Sequence, residues 1–323
     1  MERLTTIAAV RDHVAAARAA GRRVALVPTM GALHDGHLSL VRAARQHADH
    51  VLVSIFVNPT QFGEGEDLDA YPRDLEGDEA ALRGLGADAP DAVFAPDVAE
   101  MYPHGTPLTR VLVDGLTERL CGASRPGHFD GVGLVVTKLH SIVQPDIAVY
   151  GRKDFQQLAV IRRLVADLDQ PLEVVGAPIV REPDGLAMSS RNRYLQGDDR
   201  VTARALSRAL RAAVLAAGEA REGQRPVSAT FLREAATGTL AAAPDLRLDY
   251  LEVLDPTTLQ PPGQPLDADQ RGEARQGQED GTRTDKELLV AIAAFVGPAR
   301  LIDNVVIGDE EDEARLLAAT DTD

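Results

Sequence analysis

Short apolar runs alternate with amphipathic stretches through the first half of the chain. Ile7, Val10, Val14 and Ala17 recur at helical spacing, with Thr5 and Thr6 as cap candidates and Gly21 as a stop. Residues 24–27 then read as a strand, followed by a helix to about residue 48, and residues 51–57 form a nearly unbroken apolar run rich in β-branched residues. The pattern predicts a helix over 74–85, a strand over 92–94, a helix over 131–143, a strand over 147–150, a helix over 155–168 and a strand over 172–175. Strands that are apolar without alternation suit a parallel sheet buried on both faces, and their regular exchange with helices implies βαβ units. In such sheets ligands sit at the carboxyl ends of the strands.

After about residue 180 the texture changes. Two alanine-rich helices, over 202–222 and 227–243, precede strand-like runs at 246–254, 287–296 and 301–307. Helices followed by strands without alternation predict a second, α+β domain. Residues 261–285, rich in Pro, Gly, Gln, Asp and Arg, read as a mobile surface insertion, and the acidic stretch from Asp309 as a frayed tail or an exposed helix.

Composition narrows the function. The chain has 323 residues and a net charge of −16, with one cysteine, Cys121, and no tryptophan. An acidic chain with scarce aromatics argues against general nucleic-acid binding, although a local cationic pocket for an anion remains open. One cysteine gives neither an intrachain disulfide nor a cysteine metal site, which fits a reducing cytoplasm. No run approaches the ~18 apolar residues of a membrane span, and the first residues carry no signal-type apolar segment.

The polar motifs fall at strand ends. Pro28-Thr29-Met30-Gly31-Ala32-Leu33-His34-Asp35-Gly36-His37 joins a strand to a helix and places two imidazoles three residues apart at the helix entrance. A helix start carries unpaired N–H groups and partial positive charge, so with imidazole donors it suits a nucleotide triphosphate. His-x-x-His also suits a metal, but no nearby Cys or Glu completes a zinc set. Phe56-Val57-Asn58-Pro59-Thr60-Gln61-Phe62 brings two amides to the next strand end, where they read hydroxyls and carboxylates or simply start a turn. Tyr150-Gly151-Arg152-Lys153-Asp154-Phe155-Gln156-Gln157 supplies two cations, with Lys153 and Gln157 four apart and expected on one helix face. Asp184-Gly185-Leu186-Ala187-Met188-Ser189-Ser190-Arg191-Asn192 offers two hydroxyls and a guanidinium. A fifth stretch, Ser124-Arg125-Pro126-Gly127-His128-Phe129-Asp130-Gly131, has no specific role from its residues alone. Taken together, the four motifs suit a triphosphate site beside a small polar-acid site.

Those four segments resemble the pantothenate synthetases, a family of the HIGH-type nucleotidyltransferases. The similarity runs from about residue 3 to 260 and resumes over 287–307 with Arg300-Leu301-Ile302-Asp303-Asn304. The resemblance implies an α/β fold, with a Rossmann-like ATP- and pantoate-binding domain over residues 1–180 and a smaller C-terminal α+β lid domain over 181–323. It implies ATP-dependent condensation of pantoate with β-alanine through a pantoyl adenylate, with magnesium, no organic prosthetic group, and a cytoplasmic homodimer that binds neither nucleic acid nor membrane. His37, His34, Lys153 and Arg191 match catalytic positions. Met30, Gly31, Ala32, Leu33, His34, Asp35, Gly36, His37, Gly151, Arg152, Lys153, Asp154, Val180, Met188, Ser189, Ser190 and Arg191 match ATP positions. Asn58, Gln61 and Gln157 match pantoate positions, with Gln61 also near β-alanine. No metal ligand is assigned. Arg152 departs from the acidic or amide residue usual in the family, and the 261–285 insertion is longer than usual.

Overall fold

The computed structural model describes residues 1–319 except 64, 67, 70 and 265–286. The described residues form two compact units. One comprises Met1–Val113, Cys121–Arg152 and Gln156–Pro178; the other comprises Asp114–Leu120, Lys153–Phe155 and the described residues from Ile179 onward.

The first unit holds six strands: β1 (Glu2–Leu4), β2 (Val24–Thr29), β3 (His50–Ile55), β4 (Ala92–Phe94), β5 (Ile147–Gly151) and β6 (Glu173–Ala177). Its helices are α1 (Ile7–Ala19), α2 (Asp35–His47), α3 (Leu75–Arg83), the short α4 (Val98–Met101), and α6 (His128–Val143); α5 (Leu120–Ser124) begins at the last residue of a second-unit stretch, and α7 (Phe155–Asp167) likewise begins there. All strand pairs in the sheet are parallel, in the order β1-β4-β3-β2-β5-β6. Val51, Leu52 and Val53 are fully buried in β3, as their apolar run requires of a strand covered on both faces. The order reverses between β2 and β5, and such a switch point opens a crevice at the strands' carboxyl ends.

Local chemistry sets the boundaries. Thr6 caps α1 by accepting the Ala9 N–H at 3.2 Å, and Asp74 caps α3 through Gly77 N–H at 2.9 Å. The pattern of apolar residues did not reveal β1. Its three residues carry no apolar run, and it holds the sheet edge through backbone pairing with β4 and through an Arg3–Glu79 ion pair.

The second unit is built on an antiparallel sheet of β7 (Arg247–Leu254), β8 (Leu288–Val296) and β9 (Ala299–Ile307), with β8 central. Helices α8 (Asp198–Ala203), α9 (Ala205–Glu222), α10 (Ala229–Leu240) and α11 (Glu310–Ala318) accompany it. Leu206, Leu210, Leu232, Val290, Ile292 and Val305 lie in its core. The helix expected over 202–222 is α9, which begins at Ala205; the short α8 precedes it, and the two meet at Arg204. The acidic stretch from Asp309 is also more than a frayed tail. Asp309 caps α11, Asp312 Oδ2 accepts the Val306 N–H at 2.8 Å, and Leu316 is buried in the core. Four acidic residues in the first turn of α11 complement its dipole. The 261–285 insertion falls outside the described residues from 265 onward.

Two buried imidazoles give the first unit an acid-sensitive stability. His140 Nδ1 lies 2.7 Å from Gln170 Oε1 and its Nε2 2.9 Å from the Tyr150 hydroxyl. Burial holds its pKa below the ordinary value, and burial does the same for His50, against the opposing pull of Asp91. In the unfolded chain both rings take up a proton as pH falls through about 6.5; in the folded chain they do so only at lower pH. The unfolded state then binds more protons, so stability is full above that value and declines below it. Urea midpoints measured on either side of pH about 6.5 are expected to drop on the acid side, and a midpoint that rises there would contradict the assignment.

Candidate active site

The first unit builds its site at the β2 end of the switch point. After Thr29 the chain turns through Gly31 at φ +86° and Ala32 at φ +52°. Gly31 is required twice over: its φ is left-handed, and a Cβ there would lie 2.8 Å from Asp78 Oδ2. Asp78 is buried and clamps this turn. Its oxygens accept the Ala32 N–H at 3.0 Å and the Leu33 N–H at 2.7 Å. Those donors are therefore turned inward, and the turn acts by shaping the entry to α2. Asp78 lies 45 residues from Leu33 along the chain, on a helix that reads as an ordinary charged face, so no local signal marks it.

His34 is not on the helix, as the three-residue spacing suggested. It is the N-cap, with extended backbone at φ −141° and ψ 174°, and α2 begins at Asp35. A capping box still brings the imidazoles together: the His34 backbone N–H donates to His37 Nδ1 at 3.4 Å, and the ring centroids are 4.1 Å apart. A backbone N–H can only donate, so Nδ1 accepts and the proton of a neutral His37 ring sits on Nε2. Asp35 and Gly36 occupy the first turn between them.

Asn58 and Gln61 bracket a single 3-10 turn, Pro59–Gln61, that follows β3. Both are buried, and each has its amide engaged. Asn58 Nδ2 donates to Gly131 O at 3.1 Å and to Gln61 Oε1 at 3.2 Å, while Asn58 Oδ1 accepts from the Tyr102 hydroxyl at 2.8 Å and from Thr60. Gln61 Nε2 lies against the Met30 thioether, so the structure brings Met30, Asn58 and Gln61 into one cluster. The fifth motif joins it. His128 Nδ1 donates to the Gln61 carbonyl at 2.9 Å, and Arg125, paired with Glu66 at 2.6 Å, reaches the same oxygen at 3.5 Å. The Arg125 hydrogen bond holds the Glu66 carboxyl below its usual pKa. Sequence reasoning left this motif without a role because its partner is a backbone oxygen.

At the end of β5, a Cβ on Gly151 would meet only Leu40 Cδ2 at 3.9 Å, so protein packing does not demand glycine there. Arg152 lies beside Gly176 with Arg162, whose pKa is lowered by burial first and then by the Arg152 charge. Gln157 is half-buried in α7, and Gln156 beside it is buried.

The second unit carries Lys153 and Asp154 and the 180–191 stretch. Lys153 lies in a 3-10 turn, Arg152–Asp154, that ends before α7 begins, so the argument from four-residue spacing on one helix face does not apply to Lys153 and Gln157. Asn304 Nδ2 donates to the Lys153 carbonyl at 2.9 Å. Val180 and Met188 are paired through the Met188 N–H to Val180 O at 2.9 Å, at the open end of a hairpin whose turn is at Gly185. Ser189 caps the next 3-10 turn, Ser190–Tyr194, by accepting the Arg191 N–H at 3.3 Å. Arg200 fastens the hairpin through Glu182 at 2.6 Å and Asp184 at 2.7 Å.

A parallel sheet with a switch point, and paired imidazoles at the helix entrance beside it, define a Rossmann-like nucleotide-binding enzyme. Comparison with known proteins narrows this. Residues 2–306 match the family described as pantoate-beta-alanine ligase, and the chain belongs to that family of ligases. It is 52% identical over 307 residues to the pantothenate synthetase of Moorella thermoacetica, covering 95% of this chain and 99% of the relative, and 50% identical to that of Salinibacter ruber, covering 95% and 98%. A crystal structure of the Thermus thermophilus pantothenate synthetase superposes with a TM-score of 0.77 at 45% identity, over 94% of this chain and 99% of that one. A Francisella tularensis pantoate-beta-alanine ligase, solved in complex with beta-gamma ATP and β-alanine, gives 0.70 at 30% identity, over 95% and 97%.

Proposed function

We propose that this chain condenses pantoate with β-alanine at the expense of ATP. A pantoate carboxylate oxygen attacks the α-phosphorus, the bond to the β-phosphate oxygen breaks, and pyrophosphate leaves. The β-alanine amine then attacks the acyl carbon of the pantoyl adenylate, loses a proton, and AMP departs with the former carboxylate oxygen. Membership of the ligase family along residues 2–306 carries this reading, and a relative crystallised with beta-gamma ATP and β-alanine supports it.

The chemistry asks little of the protein beyond placement and charge. Pantoate is already ionised near neutral pH, so the first step needs no strong base, and catalysis is positioning with neutralisation of developing phosphate charge. His37 donates through Nε2, with His34 holding its ring; Lys153 and Arg191 supply cationic donors. Met30, Gly31, Ala32, Leu33, Asp35, Gly36, Gly151, Arg152, Asp154, Val180, Met188, Ser189 and Ser190 complete the ATP assignments. Gln61 and Gln157 bind the hydroxy acid, with Asn58 beside them. Among the described residues no group of three or more His, Cys, Asp or Glu is placed to hold a metal, and a magnesium ion that enters on the triphosphate needs no such cage, because phosphates and waters supply most of its ligands. When bound it would neutralise phosphate charge. The same reading includes a homodimer in the cytoplasm; among the described residues no helix is long and apolar enough to cross a membrane. Pyrophosphate release from ATP and pantoate, with and without β-alanine, tests the proposal: release that needs no β-alanine supports it, and none with either mixture refutes it.

A further inference from the structure

We propose that Asn58 and Tyr102 are positioning residues that fix which edge of the Gln61 amide meets the hydroxy acid. The edge presented is the amine, so the substrate atom seated there is a hydroxyl or carboxylate oxygen. This rests on the ligase reading and assigns Asn58 a role through Gln61 in place of substrate contact.

An amide looks the same in shape from either side, so its orientation must be set by neighbours that cannot change sign. Asn58 has two. The backbone N–H of Thr60 can only donate, and it lies 3.3 Å from Asn58 Oδ1. The backbone carbonyl of Gly131 can only accept, and it lies 3.1 Å from Nδ2. Turning the Asn58 amide over would set donor against donor and acceptor against acceptor in a site that is 1% exposed. With that orientation fixed by the backbone, the Tyr102 hydroxyl strengthens it by donating to Oδ1 at 2.8 Å. Burial raises the pKa of this phenol, so it stays protonated and able to donate.

The orientation then passes to Gln61. The Gln61 side-chain atom 3.2 Å from Asn58 Nδ2 must accept, so it is Oε1. Nε2 is thereby turned to the Met30 side, where a thioether is a weak acceptor that a substrate oxygen outcompetes. The contact is close because Gly131 has no side chain: a Cβ there would collide with Thr60 O and lie 2.6 Å from Gln61 Cα. The backbone of Gln61 is held independently by His128, so the relay acts on the amide without moving the chain.

Steady-state kinetics of the full-length enzyme test this. Tyr102→Phe keeps the ring and removes one donor to Asn58. A lost hydrogen bond of this kind corresponds to roughly three- to tenfold, expected as a rise in the KM for pantoate with the KM for ATP unchanged and kcat within about twofold. Asn58→Asp replaces the amine edge by an acceptor, which makes Gln61 turn its carbonyl to the substrate. The expected loss in kcat/KM for pantoate is about a hundredfold or more, because a site built to donate then opposes an acceptor. If Asn58→Asp does not fold, Tyr102→Phe alone decides. An unchanged pantoate KM in Tyr102→Phe, or equal rises for pantoate and ATP, overturns the relay. A wild-type enzyme that releases no pyrophosphate from ATP and pantoate overturns instead the ligase reading on which the relay rests.

Discussion

Asp303→Ala is expected to destabilise the second unit by about 3–5 kcal/mol. Arg181 grips Asp303 with two hydrogen bonds, at 2.7 and 3.0 Å, and the two side chains are 8% and 1% exposed. Removing the carboxylate leaves a guanidinium charge in a site with little water. It also strips Asp303 Oδ1 from the Asn304 N–H, 2.8 Å away. Urea denaturation measures the effect, and a loss under about 1 kcal/mol would mean that the pair is effectively solvated. Replacing both partners by apolar residues, as in Arg181→Met with Asp303→Leu, is expected to recover much of the loss, since the cost of a broken buried pair is mainly the stranded charge. The pair also has a functional reach within its unit. Arg181 begins the hairpin that leads to Met188, Ser189, Ser190 and Arg191, and it donates to Gly185 O at 3.2 Å. Asn304, next to Asp303, holds the Lys153 carbonyl. The single variant is therefore expected to weaken ATP use beyond its effect on folding.

His37→Ala is expected to slow single-turnover pyrophosphate release by about 10²–10³ while the fold persists, the usual consequence of losing one oriented donor at developing charge. The stability cost is smaller, about 1 kcal/mol, because only one half of a capping box is lost. Lys153→Ala is expected to slow the same step on the same scale. Near-normal single-turnover rates in both variants would remove these side chains from the chemistry, leaving them at most a part in binding.

The order of the longer elements from α1 to β6 was legible because β2 to β6 carry local apolar signals, which β1 lacks. The apolar run at 51–53 suited a doubly covered strand, and the Gly31 turn before His34 read as a strand-to-helix junction. The motifs were legible for the same reason: each is contiguous. What escaped was nonlocal or depended on conformation within a turn. Asp78 reaches across from α3 to the turn after β2, and nothing near it in the chain marks it. Asn304 and Asp303 lay within a recognised segment, but their partners Lys153 and Arg181 are far away in sequence. The spacing of His34 and His37 suggested a shared helix face, whereas the backbone makes one a cap and lets the capping box bring the rings together. Lys153 and Gln157 were placed on one face by the same rule, which fails because a 3-10 turn ends between them. Acidic residues after Asp309 read as solvated, yet Asp312 is drawn inward by a backbone N–H and Leu316 by the core.

Oxygen labelling of the pantoate carboxylate tests the central claim most directly. Activation through a pantoyl adenylate predicts that one labelled oxygen appears in AMP for each pantothenate formed, and that labelled adenylate accumulates with pyrophosphate when β-alanine is withheld. Label found in pyrophosphate or in phosphate, with AMP unlabelled, would contradict the account.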